Sequence, residues 1–263
     1  MYLYIEPFLN DQSYTGFLEY KSIYNKWFGQ GVFPKDFFHK IDGGYYSQNF
    51  VSIESIDGFI EETINETDFP IVIKPNKDSY GGKDVYFVNS INEMKEIINQ
   101  HPNLVVQEKI EQSELINTFN KDSVNTVRVC LYKDKIGGFH VINASIRMGI
   151  NGSLDNLSDG GIVCNINLSG KLNDYANDRY GKKYLKHPNS QFVFKDKVFP
   201  LYKELIQTSI KIAKETLSVR LVSLDMALDY HNKWRCIEVN LAGQTMLFAQ
   251  FANQPFFDRY SKS

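Results

Sequence analysis

Apolar and polar positions change period several times along the chain, and each change marks an element. From Ser52 onward, Ile53, Ile56, Phe59, Ile60 and Ile64 fall at helical spacing, which predicts a helix over 53–65. Ile71, Val72 and Ile73 are β-branched and predict a strand running to Lys74, with Pro75 ending it. A short strand, "DVYFV", follows at 84–88. Ser90 and Glu93 then form a capping-box pattern ahead of the helical "NEMKEIINQ" at 92–100, and "NLVVQEKI" at 103–110 is another strand.

Beyond residue 110 the pattern turns β-rich. Residues 125–149 predict two strands around a Lys-Ile-Gly-Gly turn, and 160–172 a third strand. A second strong helix is predicted over 200–217, with Leu205, Ile206, Ile210, Ala213 and Leu217 facing inward. Residues 219–240 form a further hairpin turning at His231-Asn232, and 244–254 are helical. Residues 1–50 are aromatic-rich and poorly periodic, with turns expected in "GVFPKDF" and "KIDGGYY". Hairpin-paired strands with helices grouped apart define an α+β fold rather than an alternating one.

Composition narrows the classes. The 263 residues, 43% hydrophobic and 23% charged, can bury a sizeable core. A net charge of −2 gives no global field for nucleic acid or an anionic membrane, so any anionic ligand must be met by local cations. The three cysteines, Cys130, Cys164 and Cys236, lie in apolar stretches without C-x-x-C spacing, which points to buried thiols in a reducing cytoplasm. No apolar run reaches a membrane span, and the first residues lack the pattern of a signal peptide. The five histidines show no metal or relay spacing, and Trp27 and Trp234 are expected in the core.

Two constellations carry candidate chemistry. Lys74 stands at the end of an apolar strand, where an ammonium needs water or a fixed anion, and the polar loop after it carries Ser79, Gly81 and Gly82. The loop is not a P-loop: Lys77 occupies a glycine position and Asp84 the Ser/Thr position. The second is Asp225 in "LVSLDMAL" with Glu238 and Asn240 in "CIEVN". Residues two apart on a strand share a face, and Asp225 can meet them across the hairpin. Two carboxylates and an amide oxygen form the hard-oxygen set that magnesium takes beside a phosphate.

In this order, the lysine strand, glycine loop, "VVQEKI" and acidic hairpin resemble the ATP-grasp superfamily. "DSVNTVRV", "SIRMG" and "DNLSDGGIV" are similar to its sugar-transfer-associated branch, linked to surface polysaccharide assembly. The resemblance covers about residues 20–257. It implies ATP held between two α+β subdomains: a partial N-terminal segment (1–68), a small subdomain (69–112) and a large one (113–263) with the metal site. It assigns Lys74 and Lys26 to the phosphates, under the glycine loop. Gln107, Glu108, Lys109 and Ile110 become the adenine hinge, with Glu108 accepting from the adenine amino group, and Glu114 binds the ribose. Arg128 and Arg147 would face the phosphates and the acyl-phosphate position, with Asn125, Asn156, Gly160 and Gly161 shaping the pocket. Asp225, Glu238 and Asn240 would hold two magnesium ions, or manganese in their place. The thirteen-residue separation of Asp225 and Glu238 is similar to that of D-alanine–D-alanine ligases, but Ser223 stands where those enzymes carry an arginine.

The function this implies is ATP-dependent carboxylate–amine ligation through an acyl phosphate. The substrates would be small or glycan-linked carboxylates and amines, and the partners glycan-assembly enzymes in the cytoplasm. The rival readings are a kinase on the same fold and a non-catalytic nucleotide-binding partner of glycan assembly. Alone, Arg128 also reads as a surface cross-strand charge pair contributing little.

Overall fold

A computed structural model describes residues 5–77, 84–151, 160–243 and 246–252. In chain order, helices α1 (Ile5–Leu9), α2 (Gln12–Thr15) and α3 (Tyr24–Phe28) precede strands β1 (Asp36–Ile41) and β2 (Gly44–Ser47). Helix α4 (Ile56–Thr63), strands β3 (Ile71–Pro75) and β4 (Tyr86–Val88), helix α5 (Ile91–Gln100) and strand β5 (Leu104–Glu108) follow. Then come helix α6 (Glu114–Asn117) and strands β6 (Thr126–Lys133), β7 (Phe139–Met148), β8 (Ile162–Ile166), β9 (Ala176–Asn177) and β10 (Lys183–Tyr184). Helix α7 (Tyr202–Lys214), strands β11 (Leu221–Leu228) and β12 (Trp234–Asn240), and helix α8 (Met246–Phe251) complete the described elements. The chain divides into two units, Leu18–Ile110 and the described residues before and after that span.

The smaller unit is built on an antiparallel sheet of order β2-β1-β5-β3-β4. One face is apolar: Phe38, Ile71, Ile73, Val88, Leu104 and Val106 pack with Ile60 and Ile64 from α4 and its end, and Met94 and Ile98 from α5. Both helices begin at a serine that caps its own first turn: Ser55 accepts from Gly58 N–H and Ser90 from Glu93 N–H. The reach-back half of the expected capping box is displaced by one residue, since Glu93 accepts from the Asn89 amide (2.7 Å). β1 and β2 come from the stretch that the sequence reading set apart as 1–68, so the sheet extends well before residue 69.

The larger unit holds an antiparallel sheet of order β10-β9-β8-β7-β6-β11-β12. α7 packs against β6, β7, β11 and β12. Its buried positions are Leu205, Ser209, Ile212 and Ala213. Leu217 does not face inward as expected: the helix ends at Lys214, and Leu217 lies beyond it with positive φ and an exposed side chain. Lys211 and Lys214 in the last turn suit the negative end of the helix dipole. The three cysteines are buried and form no disulfide, and burial pushes the Cys130 thiol up to about 12, so it is inert as a nucleophile. Trp234 is buried, with Nε1 donating to Leu201 O (3.0 Å), whereas Trp27 is exposed. No helix among the described residues is long and apolar enough to cross a membrane.

Candidate active site

Residues facing one another across a ladder share a sheet face, so the register of the larger sheet shows what its strands present. Glu238 lies opposite Asp225, Asp225 opposite Arg128, Arg128 opposite Ser145, and Ser145 opposite Asn165. One row away, Asn240 faces Ser223 and Ser223 faces Cys130; on the other side Thr126 faces Arg147. A β12 irregularity at Ile237 keeps Glu238 and Asn240 on this face while the strand continues. The alternate positions Val127, Val129, Ala144, Ile146, Leu224 and Met226 are buried and apolar. One face is therefore core, and the other carries a polar row across five strands.

Asp225 is the centre of that row. Arg128 donates to it in a bidentate fork, Nε to Oδ1 and Nη2 to Oδ2, both at 2.7 Å. Arg147 Nη2 reaches Oδ2 at 3.1 Å, and its Nε and Nη2 also donate to Thr126 Oγ1 at 2.9 and 2.6 Å. Burial pushes the Asp225 carboxyl up, but the two guanidinium charges and their hydrogen bonds outweigh it and bring it down to about 2. The carboxylate is ionised at any physiological pH. Arg128 is a cross-strand charge pair, half-buried and bidentate on a buried carboxylate rather than solvated.

Asp225, Arg128, Arg147, Glu238 and Asn240 are thus brought onto one face. Among the described residues no group of three or more His, Cys, Asp and Glu side chains could hold a metal. The candidate set here is two carboxylates and an amide. Its oxygens are hard donors of the kind magnesium takes alongside phosphate, and Glu238 and Asn240 are half-buried rather than sealed in. Asp225 Oδ2 accepts from both guanidiniums and Oδ1 from Arg128 alone, so the further acceptor capacity left for a metal lies on Oδ1. The donor chemistry fits magnesium. Asn125 is committed to the loop before β6: its N–H donates to Gln112 Oε1 (2.6 Å) and its Nδ2 to Asn120 O (2.6 Å). Glu114 is exposed on α6 and accepts from Asn117 Nδ2 (3.0 Å).

The smaller sheet has the same two-faced character. Asp36 lies opposite Gln107, Gln107 opposite Val72, and Lys74 follows two positions along β3, so the three polar side chains share the face away from α4 and α5. Asp36 is buried, with Oδ1 accepting from Gln107 Nε2 (2.7 Å) and Oδ2 from Asn25 Nδ2 (2.9 Å). Burial raises its carboxyl to about 6, against the opposing pull of those bonds and of the Lys74 charge. Glu108 Oε1 accepts from the Lys35 N–H (2.8 Å) and the Glu108 N–H donates to Lys35 O (2.9 Å), pinning the end of β5 to the approach of β1. Lys26 is exposed on α3, its Nζ 4.9 Å from the Phe50 ring centre. Lys109 is exposed and Ile110 half-buried just after β5. Ser79, Gly81, Gly82 and Asn156 lie outside the described residues.

The sequence reading passed over Asp36 and Asn25. A signal existed in "DFFHKI", six residues dominated by bulky groups, and the hairpin turn "DGG" just after it.

The fold of the chain is shared with solved structures. An N5-carboxyaminoimidazole ribonucleotide synthetase in an ADP complex is similar over 93% of this chain and 53% of its own, at 14% identity and a TM-score of 0.52. A biotin carboxylase from Campylobacter jejuni in a β,γ-ATP complex is similar over 89% and 43%, at 12% identity and a TM-score of 0.53. The biotin carboxylase domain of a 2-oxoglutarate carboxylase from Hydrogenobacter thermophilus, in complex with MgADP, ADP and bicarbonate, is similar over 86% and 40%, at 12% identity and a TM-score of 0.50. The chain spans about half or less of the length of these proteins. No curated protein matches it in sequence. The fold is the ATP-grasp fold. Residues 94–260 match the family described as sugar-transfer associated ATP-grasp, and the chain belongs to that family.

Proposed function

We propose that this protein is an ATP- and magnesium-dependent carboxylate–amine ligase that forms an amide through an acyl phosphate and acts in the assembly of a surface glycan. The observation that carries the reading is the Arg128–Asp225–Arg147 cluster, its carboxylate buried, beside Glu238 and Asn240 on one polar sheet face. It puts fixed positive charge and hard-oxygen donors side by side, as phosphoryl transfer requires.

In this reading Lys74, with Lys26 and the loop of Ser79, Gly81 and Gly82, binds the ATP phosphates. Gln107 to Ile110 receive the adenine, Glu114 the ribose, and Asn156 helps to shape the phosphate pocket. Asp225, Glu238 and Asn240 hold magnesium, which supplies charge neutralisation at the phosphates. Arg147 and Arg128 stabilise the charge that develops as the γ-phosphoryl group moves to the substrate carboxylate. Ser223, small and buried opposite Asn240, cannot take that part. The amine then displaces phosphate from the acyl carbon, and ADP, phosphate and the amide leave. No protein nucleophile takes part; positioning and electrostatics do the catalysis.

The glycan role rests on the family to which the chain belongs. The test is an ADP-release screen crossing carboxylates with amines, amino sugars and uronic acids included. ADP release that needs both a carboxylate and an amine supports the ligase. Release with a hydroxyl acceptor and no carboxylate would replace it with a kinase.

A further inference from the structure

Asp36 was passed over by the sequence reading, yet both of its carboxylate oxygens are held by side-chain amides. Its two oxygens are bonded to amides from two different elements, Asn25 on α3 and Gln107 on β5. Asn25 is fixed in turn by a second bond, Nδ2 to Pro34 O at 2.7 Å. Gln107 immediately precedes Glu108, and Asn25 immediately precedes Lys26. Four side chains assigned to nucleotide are therefore either neighbours of the groups that Asp36 holds or, like Gln107 and Lys74, share its sheet face.

We propose that Asp36 is a positioning residue for the nucleotide: its carboxylate orders Asn25 and Gln107 and serves as counter-charge to Lys74, and it takes up a proton when an anion arrives at Lys74. The inference rests on the reading of Lys74 as a phosphate ligand. Among the described residues, the charged and titratable groups that act on Asp36 are Lys74 from β3, Glu108 from β5 and His39 on its own strand, the last 3.8 Å away. Burial holds the His39 imidazole down to about 4, so it stays neutral above that and cannot produce an inflection near neutrality. Asp36 is held up to about 6, chiefly by burial, with the Lys74 charge among the influences that keep it from going higher. A bound polyphosphate satisfies the Lys74 ammonium and adds negative charge nearby, and both effects favour the neutral carboxyl. Binding therefore raises the Asp36 pKa further, a proton is taken up, and by linkage affinity rises as pH falls.

The experiment is calorimetric titration of the full chain with AMP-PNP and saturating magnesium, between pH 5.5 and pH 8, in buffers of differing ionisation enthalpy. The wild type should bind about tenfold more tightly at the low end, the consequence of a pKa rise of roughly one unit on binding. Buffer-dependent heats near pH 6.5 should report proton uptake. D36N should show neither the gain in affinity at low pH nor the proton uptake, and should bind more weakly than the protonated wild type because its amide offers one acceptor to Asn25 and Gln107 where the carboxyl group offers two. A pH-independent wild type, or a D36N variant with the wild-type profile, overturns the role of Asp36 while leaving the nucleotide site standing. No binding by the wild type at any pH overturns both. Should D36N fail to fold, N25A, which removes a hydrogen bond that favours the carboxylate, should move the pH profile of affinity upward, and an unmoved profile overturns the role of Asp36.

Discussion

Replacing Asp225 by asparagine keeps the side-chain volume and removes one charge, which makes its effect calculable. In the wild type the carboxylate receives a bidentate fork from Arg128 at 2.7 and 2.7 Å and a third contact from Arg147 at 3.1 Å. All three side chains are mostly or fully buried, 16%, 7% and 3% exposed for Arg128, Arg147 and Asp225. The variant leaves two guanidiniums side by side without their shared anion, and an amide NH2 facing donors. Breaking a buried ion pair by removing one partner typically costs about 3–5 kcal/mol. For a protein of this size that is a Tm decrease of roughly 10 °C. The pH dependence gives an independent reading of the same quantity. A carboxyl held at about 2 in the fold and near its ordinary value when unfolded contributes on the order of 2–3 kcal/mol, present in full above about pH 5 and lost as pH falls toward 2. The assay is urea unfolding of wild type and D225N at pH 7 and at pH 3. A loss under about 1 kcal/mol at pH 7, or an equal loss at both pH values, would refute the account of Asp225 as the buried hub of this face.

Glu238→Gln and Asn240→Ala should abolish turnover with little change in Tm, because both side chains are half-buried and offer oxygen rather than packing; activity within a few-fold of wild type sinks their assignment to magnesium. ATP with magnesium should raise the melting temperature of the wild type, and Lys74→Ala should remove most of that rise. GTP stabilising as well as ATP would contradict the adenine role of Glu108. Arg147→Lys should keep ATP affinity and lose roughly 10²–10³ in kcat, since lysine keeps the charge but cannot span Thr126 and Asp225 as the guanidinium does; an unchanged kcat removes Arg147 from the chemistry.

Which parts were legible follows from how far apart in sequence the partners lie. Lys74 and the Asp225 hairpin stood out because each polar group interrupts an apolar strand, and the strand period fixes the face locally. The clamp on Asp225 did not stand out, because it joins residues 97 apart through the β6–β11 register, which no local pattern encodes. Arg128 could therefore be read toward a phosphate or toward a surface partner, but not toward Asp225. Asp36 was hidden for a different reason. The register of β1 shifts between Asp36 and Phe38, so Phe37 and Phe38 are both buried in the same core and the alternation that marks a strand is lost. β9 and β10, two residues each, are too short to show any period.

The central claim is that phosphate leaves through an acyl phosphate made from a substrate carboxylate. Its most direct test is to label with oxygen-18 the carboxylate that elicits ADP release, supply the amine, and analyse the phosphate by mass. The ligase account predicts one labelled oxygen in each phosphate released, because one carboxylate oxygen departs with it. Amide formed with unlabelled phosphate would contradict the account and exclude the acyl-phosphate route.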